Sequence, residues 1–488
     1  MLVLALLSLC ISLATATLRD QLLGLPGVTA IFAGDPLYAN VSRAFNLRFT
    51  LEPVAVVFPN TVQDLSEIVK IGKENYLRVS ARSGGHSYIA NGLGGENGTL
   101  VVDLSNFKNI TVDPTALTAV IDSGNRLGEI VVALDKYGLA MPHGTCPYVG
   151  LGGHASYGGF GFTSRMWGLT LDNILSINLV LANGTIVKAS KEENPELFWG
   201  MRGAGPSFGI TTALKFKIFK APPSVTIFNW NWQLTAAQAA DALGKFQQFS
   251  ESPSLPVEFG PEIVLTRGHV EGNVTFALAG AWHADPNLLN ATVQPFLDAM
   301  PPVNGVDFFH GNWIESAQNL GGDLDVSAPD GTDTFYAKSL ITPEAAPMDE
   351  NARKAFMNIV STEGSTTNTS WFFQIELFGG PNSAINAVSL NETAFAHRSS
   401  LFNIQFYASS FNNQPPYPDA GFEFLDHVVD NITSSSPAGW DFGAYTNYME
   451  DKLPDFQRQY YGSQYSRLMA LKDAVDPTGV FDFPVGVE

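Results

Sequence analysis

The sequence predicts an α+β protein of two domains. Three observations carry that expectation: the length of the chain, the run of short strands and helices in its first part, and a change of pattern at Ala221-Pro222-Pro223. At 488 residues the chain exceeds one ordinary core. Val54 to Phe58 reads as a strand ending at Pro59. Thr61 then caps a helix whose apolar places, Val62, Leu65, Ile68 and Val69, follow helical spacing. Leu77 to Ala81, Leu100 to Leu104 and Ala119 to Asp122 read as strands, and Leu127 to Tyr137 as a helix. Ile177 to Leu181 and Thr185 to Ala189 flank Ala182-Asn183-Gly184, a hairpin signal. Ile210 to Ile218 alternates in period two. Beyond the proline pair, strand-like runs recur at Ser224 to Trp232, Val274 to Ala279, Thr334 to Leu340, Ser370 to Leu377 and Leu401 to Tyr407. Helical stretches, Ala236 to Phe249 and Ala345 to Val360, separate them. Such a series predicts a second domain with a large antiparallel sheet. A last segment, rich in Tyr, ends in a helix from Ser463 to Val475.

The N-terminus predicts export. Leu2 to Leu13 is apolar and uncharged, Ala14-Thr15-Ala16 suits cleavage, and charge first enters at Arg19 and Asp20. The run is too short for a membrane span. The expected organisation is a signal peptide over 1–16, a first domain over 17–221, a second over 222–439, and a closing segment over 440–488 that returns to the first. N-x-S/T sequons spread from Asn40 to Asn431, as in a secreted glycoprotein.

Composition narrows the partners. Lys and Arg total 27 against 47 Asp and Glu, a formal charge of −20. Neither a nucleic acid nor an anionic membrane suits that surface. Hydrophobic residues at 45% and charged residues at 15% exclude wholesale disorder. Of the two cysteines, Cys10 falls in the signal, so the mature chain keeps one sulfur, Cys146. A lone thiol in an exported chain is either a buried small hydrophobe or the donor of another covalent bond.

Several motifs are excluded by context. Gly205-Pro206-Ser207-Phe208-Gly209 matches a hydrolase elbow, but a strand follows it where a helix is required. No dinucleotide fingerprint and no P-loop occurs, and the histidines form no zinc pattern. Two glycine-rich segments remain. One is Arg82-Ser83-Gly84-Gly85-His86-Ser87-Tyr88. The other runs from His143 through Cys146, Tyr148, Val149, Gly150, Gly152 and Gly153 to His154. Glycines let backbone N–H groups approach an anion such as a pyrophosphate, and they equally suit plain tight turns.

Taken together, these segments resemble the berberine-bridge-enzyme-like FAD oxidases of the vanillyl-alcohol-oxidase superfamily. RSGGHSY is similar to the segment whose histidine binds the 8α-methyl of FAD. HGTCPYVGLGGH is similar to the one whose cysteine bonds flavin carbon six. The resemblance implies covalent FAD on His86 and Cys146, with Arg82, Ser83, Gly84, Gly85, Ser87, Val149, Gly150, Gly152 and Gly153 around it. Two further stretches, Gly379 to Arg398 and Tyr460 to Phe481, resemble the family's substrate-domain and closing motifs. The implied fold has a PCMH-type FAD domain and a substrate domain.

Within the family the chain is most similar to fungal oligosaccharide oxidases. Trp371-Phe372-Phe373-Gln374-Ile375-Glu376, Gln405 and Tyr445-Thr446-Asn447-Tyr448 match their site motifs, with Glu376 where an Asp is usual. The resemblance implies Tyr448 as base with Glu376 as its proton partner. Tyr88, Trp371, Gln374, Gln405 and Tyr445 would bind sugar. Val149, three residues after the cysteine, is the oxygen-permissive type. The implied activity is oxidation of a reducing-end hemiacetal to its lactone, with oxygen reduced to hydrogen peroxide; a monomer without a metal is the expected state, and its export is expected from the N-terminal run. The alternatives are an oxidase of a secondary-metabolite alcohol or alkaloid, and a non-catalytic carbohydrate-binding glycoprotein.

Overall fold

The computed structural model describes residues 16–488, so all but the last residue of the expected signal peptide, Cys10 included, lies outside the described residues. Its first strands make two sheets. One has four strands in the order Thr29–Phe32, Ala55–Phe58, Leu100–Asp103, Val79–Arg82, its first pair antiparallel and the others parallel. The other has five antiparallel strands, in the order Ile110–Asp113, Thr118–Asp122, Ile210–Lys217, Ile174–Val180, Ile186–Ser190. The Val62–Glu74 helix begins with the Thr61 side chain accepting from Asp64 N, which satisfies an otherwise orphaned donor. Its Leu65, Ile68 and Val69 are fully buried in a core shared with strands of both sheets. Ser207 of the apparent hydrolase elbow is buried in a 3-10 turn, and its hydroxyl accepts from Val487 N.

The seven-stranded sheet is antiparallel throughout. Its order is Gly305–Gly311, Val225–Thr235, Asn273–Trp282, Phe259–Arg267, Thr369–Leu377, Ser400–Ser410, Phe335–Pro343. Helices Ala236–Ser250, Glu350–Thr366 and Asp419–Ser435 cover one face through Phe246, Phe356, Met357 and Leu425. Phe228, Phe276, Phe373 and Phe406 meet them from the sheet. Side chains alternate along a strand. The opposite face therefore carries Phe372, Gln374 and Glu376, and it looks toward the glycine-rich segments.

The closing segment is sewn to the first sheets. Val79 N donates to Val480 O at 2.7 Å, and Lys472 Nζ to Ser207 O at 3.0 Å. Asp476, 1% exposed, accepts from Lys472, Val480 N and Phe481 N. Among the described residues no helix is long and apolar enough to cross a membrane.

Candidate active site

The two glycine-rich segments cross backbone on backbone. A Cβ on Gly84 would lie 2.4 Å from Gly150 N, and one on Gly150 would lie 2.0 Å from Gly84 N, so neither place admits a side chain. Gly85 has φ +78° and turns the chain toward His86. Ser83 locks the crossing: its hydroxyl donates to Ser123 O at 2.5 Å and accepts from Gly152 N at 3.2 Å. A Cβ at Gly153 would meet nothing within 4 Å, so this floor is open.

His86 and Cys146 converge from the two segments, with the sulfur 4.0 Å from His86 Nε2. Phe45 stacks on the imidazole at 3.9 Å between centroids. Asp330 Oδ2 lies 2.6 Å from Nε2. Burial alone would lower the pKa of His86, but contacts with Asp330 and Cys146 outweigh it and hold it at about 9. Burial would raise the Cys146 thiol, and His86 outweighs it, so the thiol is lowered. Nδ1 of His86 has no hydrogen-bond partner among the described residues, and Cys146 is a free thiol. An unpartnered ring nitrogen, a lowered thiol and an open glycine floor fit a flavin tethered twice.

Opposite stands a row of polar groups on three adjacent strands. The register pairs Glu262 with Glu376, Glu376 with Asn403, and Gln374 with Gln405. Tyr448, from the 3-10 turn Thr446–Tyr448, donates its hydroxyl to Glu376 Oε1 at 2.7 Å. Asn403 Nδ2 donates to Oε2 at 2.6 Å. Burial dominates at Glu376, 4% exposed, and pushes its carboxyl up to about 8 despite those two donors; the neighbouring Glu262 adds to the rise. Burial likewise raises the Tyr448 phenol far above its ordinary value. Gln374 Nε2 donates to both Glu262 oxygens at 3.1 and 3.0 Å, and burial pushes that carboxyl up to about 7. Gln405 Nε2 donates to the Tyr88 hydroxyl at 2.6 Å, and Tyr88 lies parallel to Tyr448 at 5.8 Å.

Three expected contacts are corrected. Trp371 is three residues before Gln374, an odd offset, so it points into the helix-covered face. It is 6% exposed and its indole N–H donates to Gly364 O at 2.8 Å. Phe372 takes the place beside Gln374 and stacks on Tyr407 at 5.0 Å. Tyr445, 1% exposed, offers no ring face; its hydroxyl accepts from Gly159 N and Phe160 N, and its ring edge meets Tyr448. Arg82 turns from the cradle, its Nε donating to Asp103 at 2.6 Å. The Ser87 hydroxyl caps the next turn by accepting from Asn91 N. Val149 sits at the crossing with its carbonyl accepting from Leu127 N.

Glu262, Phe372, Asn403 and Asp330 were not among the expected residues. The parity of Gln374 and Glu376 along their strand signals Phe372. Glu262 lies on a strand, Phe259–Arg267, that Pro261 hides from a reading of strand patterns.

Groups that fit a tethered redox ring, set against a buried Tyr–Glu pair, suit an FAD-dependent oxidoreductase. Known proteins give the same class. Residues 53–190 match the model of an FAD binding domain, and residues 444–488 match that of berberine and berberine-like proteins. A xylooligosaccharide oxidase of Thermothelomyces thermophilus is 38% identical over 91% of this chain and 89% of its own. The solved xylooligosaccharide oxidase from Myceliophthora thermophila C1, in complex with xylobiose, is 34% identical at a TM-score of 0.90, over 97% of this chain and 99% of that one. Glucooligosaccharide oxidase from Acremonium strictum, with its 6-S-cysteinyl, 8α-N1-histidyl FAD, has a TM-score of 0.89 at 31% identity, over 97% and 99% of the two chains. The chain belongs to the berberine-bridge-enzyme-like FAD-linked oxidases of the vanillyl-alcohol-oxidase superfamily.

Proposed function

We propose that this protein is a secreted carbohydrate oxidase. It carries FAD on His86 and Cys146 and converts the reducing-end hemiacetal of an oligosaccharide to its lactone, with oxygen reduced to hydrogen peroxide. The observation that carries this reading is the 2.7 Å bond from Tyr448 to Glu376 at the end of the polar row. The bound flavin would accept the hydride from the hemiacetal carbon. Tyr448 takes the hydroxyl proton and passes its own to Glu376, which must be ionised to receive it. A phenolate beside a carboxylate would place like charges together, so the proton is shared along the bond. Asn403 keeps Glu376 Oε2 in place. Gln374 and Gln405 face the sugar hydroxyls, and Phe372 with Tyr407 and Tyr88 supplies ring faces for its apolar edges. Relatives named for xylo-, chito- and glucooligosaccharides support the substrate class. Export is supported by the apolar N-terminal run and by sequon asparagines that are all exposed or half-buried, from Asn40 to Asn431.

The test is peroxide release by purified protein given cellobiose, xylobiose, chitobiose and simple alcohols. Turnover of at least one sugar is expected. Silence on every sugar with turnover of an alcohol would move the assignment to a metabolite oxidase. Protein that is colourless after acid precipitation and washing would remove the tethered flavin.

A further inference from the structure

We infer that Asp330 is the positioning residue for the covalent bond between His86 and the flavin: its carboxylate holds the Nε2 proton, so that the Nδ1 lone pair is the one presented to the cofactor. The inference rests on the tethered-flavin reading above.

Three observations converge on it. Asp330 Oδ2 is 2.6 Å from His86 Nε2. Phe45 fixes the plane of the ring by stacking at 3.9 Å and 27°. Nδ1 has no partner among the described residues. A histidine whose one nitrogen is held by a carboxylate has its tautomer and its reactive nitrogen chosen. Asp330 comes from the second half of the chain, between the Trp313–Gly321 helix and the Phe335–Pro343 strand, whereas His86 follows the Val79–Arg82 strand. The attacking geometry therefore requires residues 244 positions apart in the chain to have come together.

The Nδ1–C8α bond forms and one C–H bond of the 8α-methyl breaks. The two electrons of that bond reduce the flavin ring. Alkylation leaves a positive charge on the imidazole, which Asp330 faces, and the Nε2 proton can then leave. Dioxygen takes the two electrons and two protons as hydrogen peroxide and restores the oxidised ring. Neutral His86 is the nucleophile, so attachment accelerates as pH rises through the His86 pKa, which Asp330 helps hold near about 9.

The test uses the full chain in a Cys146→Ala background, where acid-stable flavin arises from His86 alone. Purified protein is incubated with FAD in air at a series of pH values. Acid-stable flavin, total bound flavin and the mass of the His86 peptide are followed with time. Asp330→Asn is expected to slow attachment about 100-fold on the alkaline plateau, the scale of a lost positioned acid–base group. Its pH midpoint should fall to or below the ordinary histidine value of about 6.5, because burial alone acts on His86 once Asp330 and Cys146 are both replaced. Total bound flavin and Tm should hold, and Asp330→Glu should recover most of the rate. An unchanged plateau rate in Asp330→Asn would overturn the inference. So would a loss of attachment that merely tracks lost flavin binding or lost Tm. Wild-type protein whose His86 peptide is unmodified would instead overturn the tethered-flavin reading itself.

Discussion

The pH dependence of flavin reduction follows from the setting of Glu376. Its carboxyl stands at about 8 against an ordinary 4.5, because burial outweighs the donors Tyr448 and Asn403. In the proposed reaction the proton acceptor is the ionised form. Its share is about 1% at pH 6 and about half at pH 8, so reduction of the flavin by sugar should quicken about 50-fold across that interval. Anaerobic stopped-flow mixing, following loss of flavin absorbance at saturating sugar, measures the step apart from the oxygen reaction. Glu376→Gln should flatten the profile and slow the step by about 10² to 10⁴. Glu262→Gln should move the midpoint down, since the neighbouring carboxylate raises Glu376. A wild-type rate that is level from pH 6 to 8, or one that breaks near the ordinary carboxylate value, would refute Glu376 as the acceptor.

Four further outcomes are expected. Tyr448→Phe should slow flavin reduction by about 10² to 10⁴ with little change in KM, checked by the same stopped-flow experiment. Glu376→Gln should raise Tm at alkaline pH but not near pH 4. A carboxyl whose folded pKa lies above its unfolded one makes the folded state lose stability as pH climbs from about 4.5 to about 8, by at most about 5 kcal/mol; thermal melts at pH 4 and 9 decide it. Trp371→Ala should cost about 3–5 kcal/mol in denaturant unfolding, because the indole fills the helix-covered core. Phe372→Ala should instead raise KM for sugar with a small loss of stability; the two exchanging effects would reverse the assignment of faces.

Much of the fold was legible because its signals are local. The Thr61 cap, the Asn183-Gly184 hairpin and the alternation over Ile210–Lys217 each became the element they predict. The close backbone approach of the two glycine-rich segments was legible as one of two readings of their runs, whereas the roles of His86 and Cys146 rest on the family resemblance. What stayed hidden is what only register or long-range packing decides. Phe259–Arg267 sits in mid-sheet with Pro261 opposite Gly280, so a proline that argues against a central strand is tolerated there, and Glu262 went with the missed strand. Trp371 was placed by motif matching rather than by parity, and a shift of one residue exchanged the core face for the site face. Asp330 meets His86 across the sequence from an irregular segment, which no periodicity announces.

The most direct test of the account is mass spectrometry of proteolytic fragments from acid-precipitated, washed wild-type protein. The account predicts one cross-linked species in which the His86 and Cys146 peptides are joined through a single FAD. Recovery of both peptides at their unmodified masses, from protein that was yellow before precipitation, would contradict it.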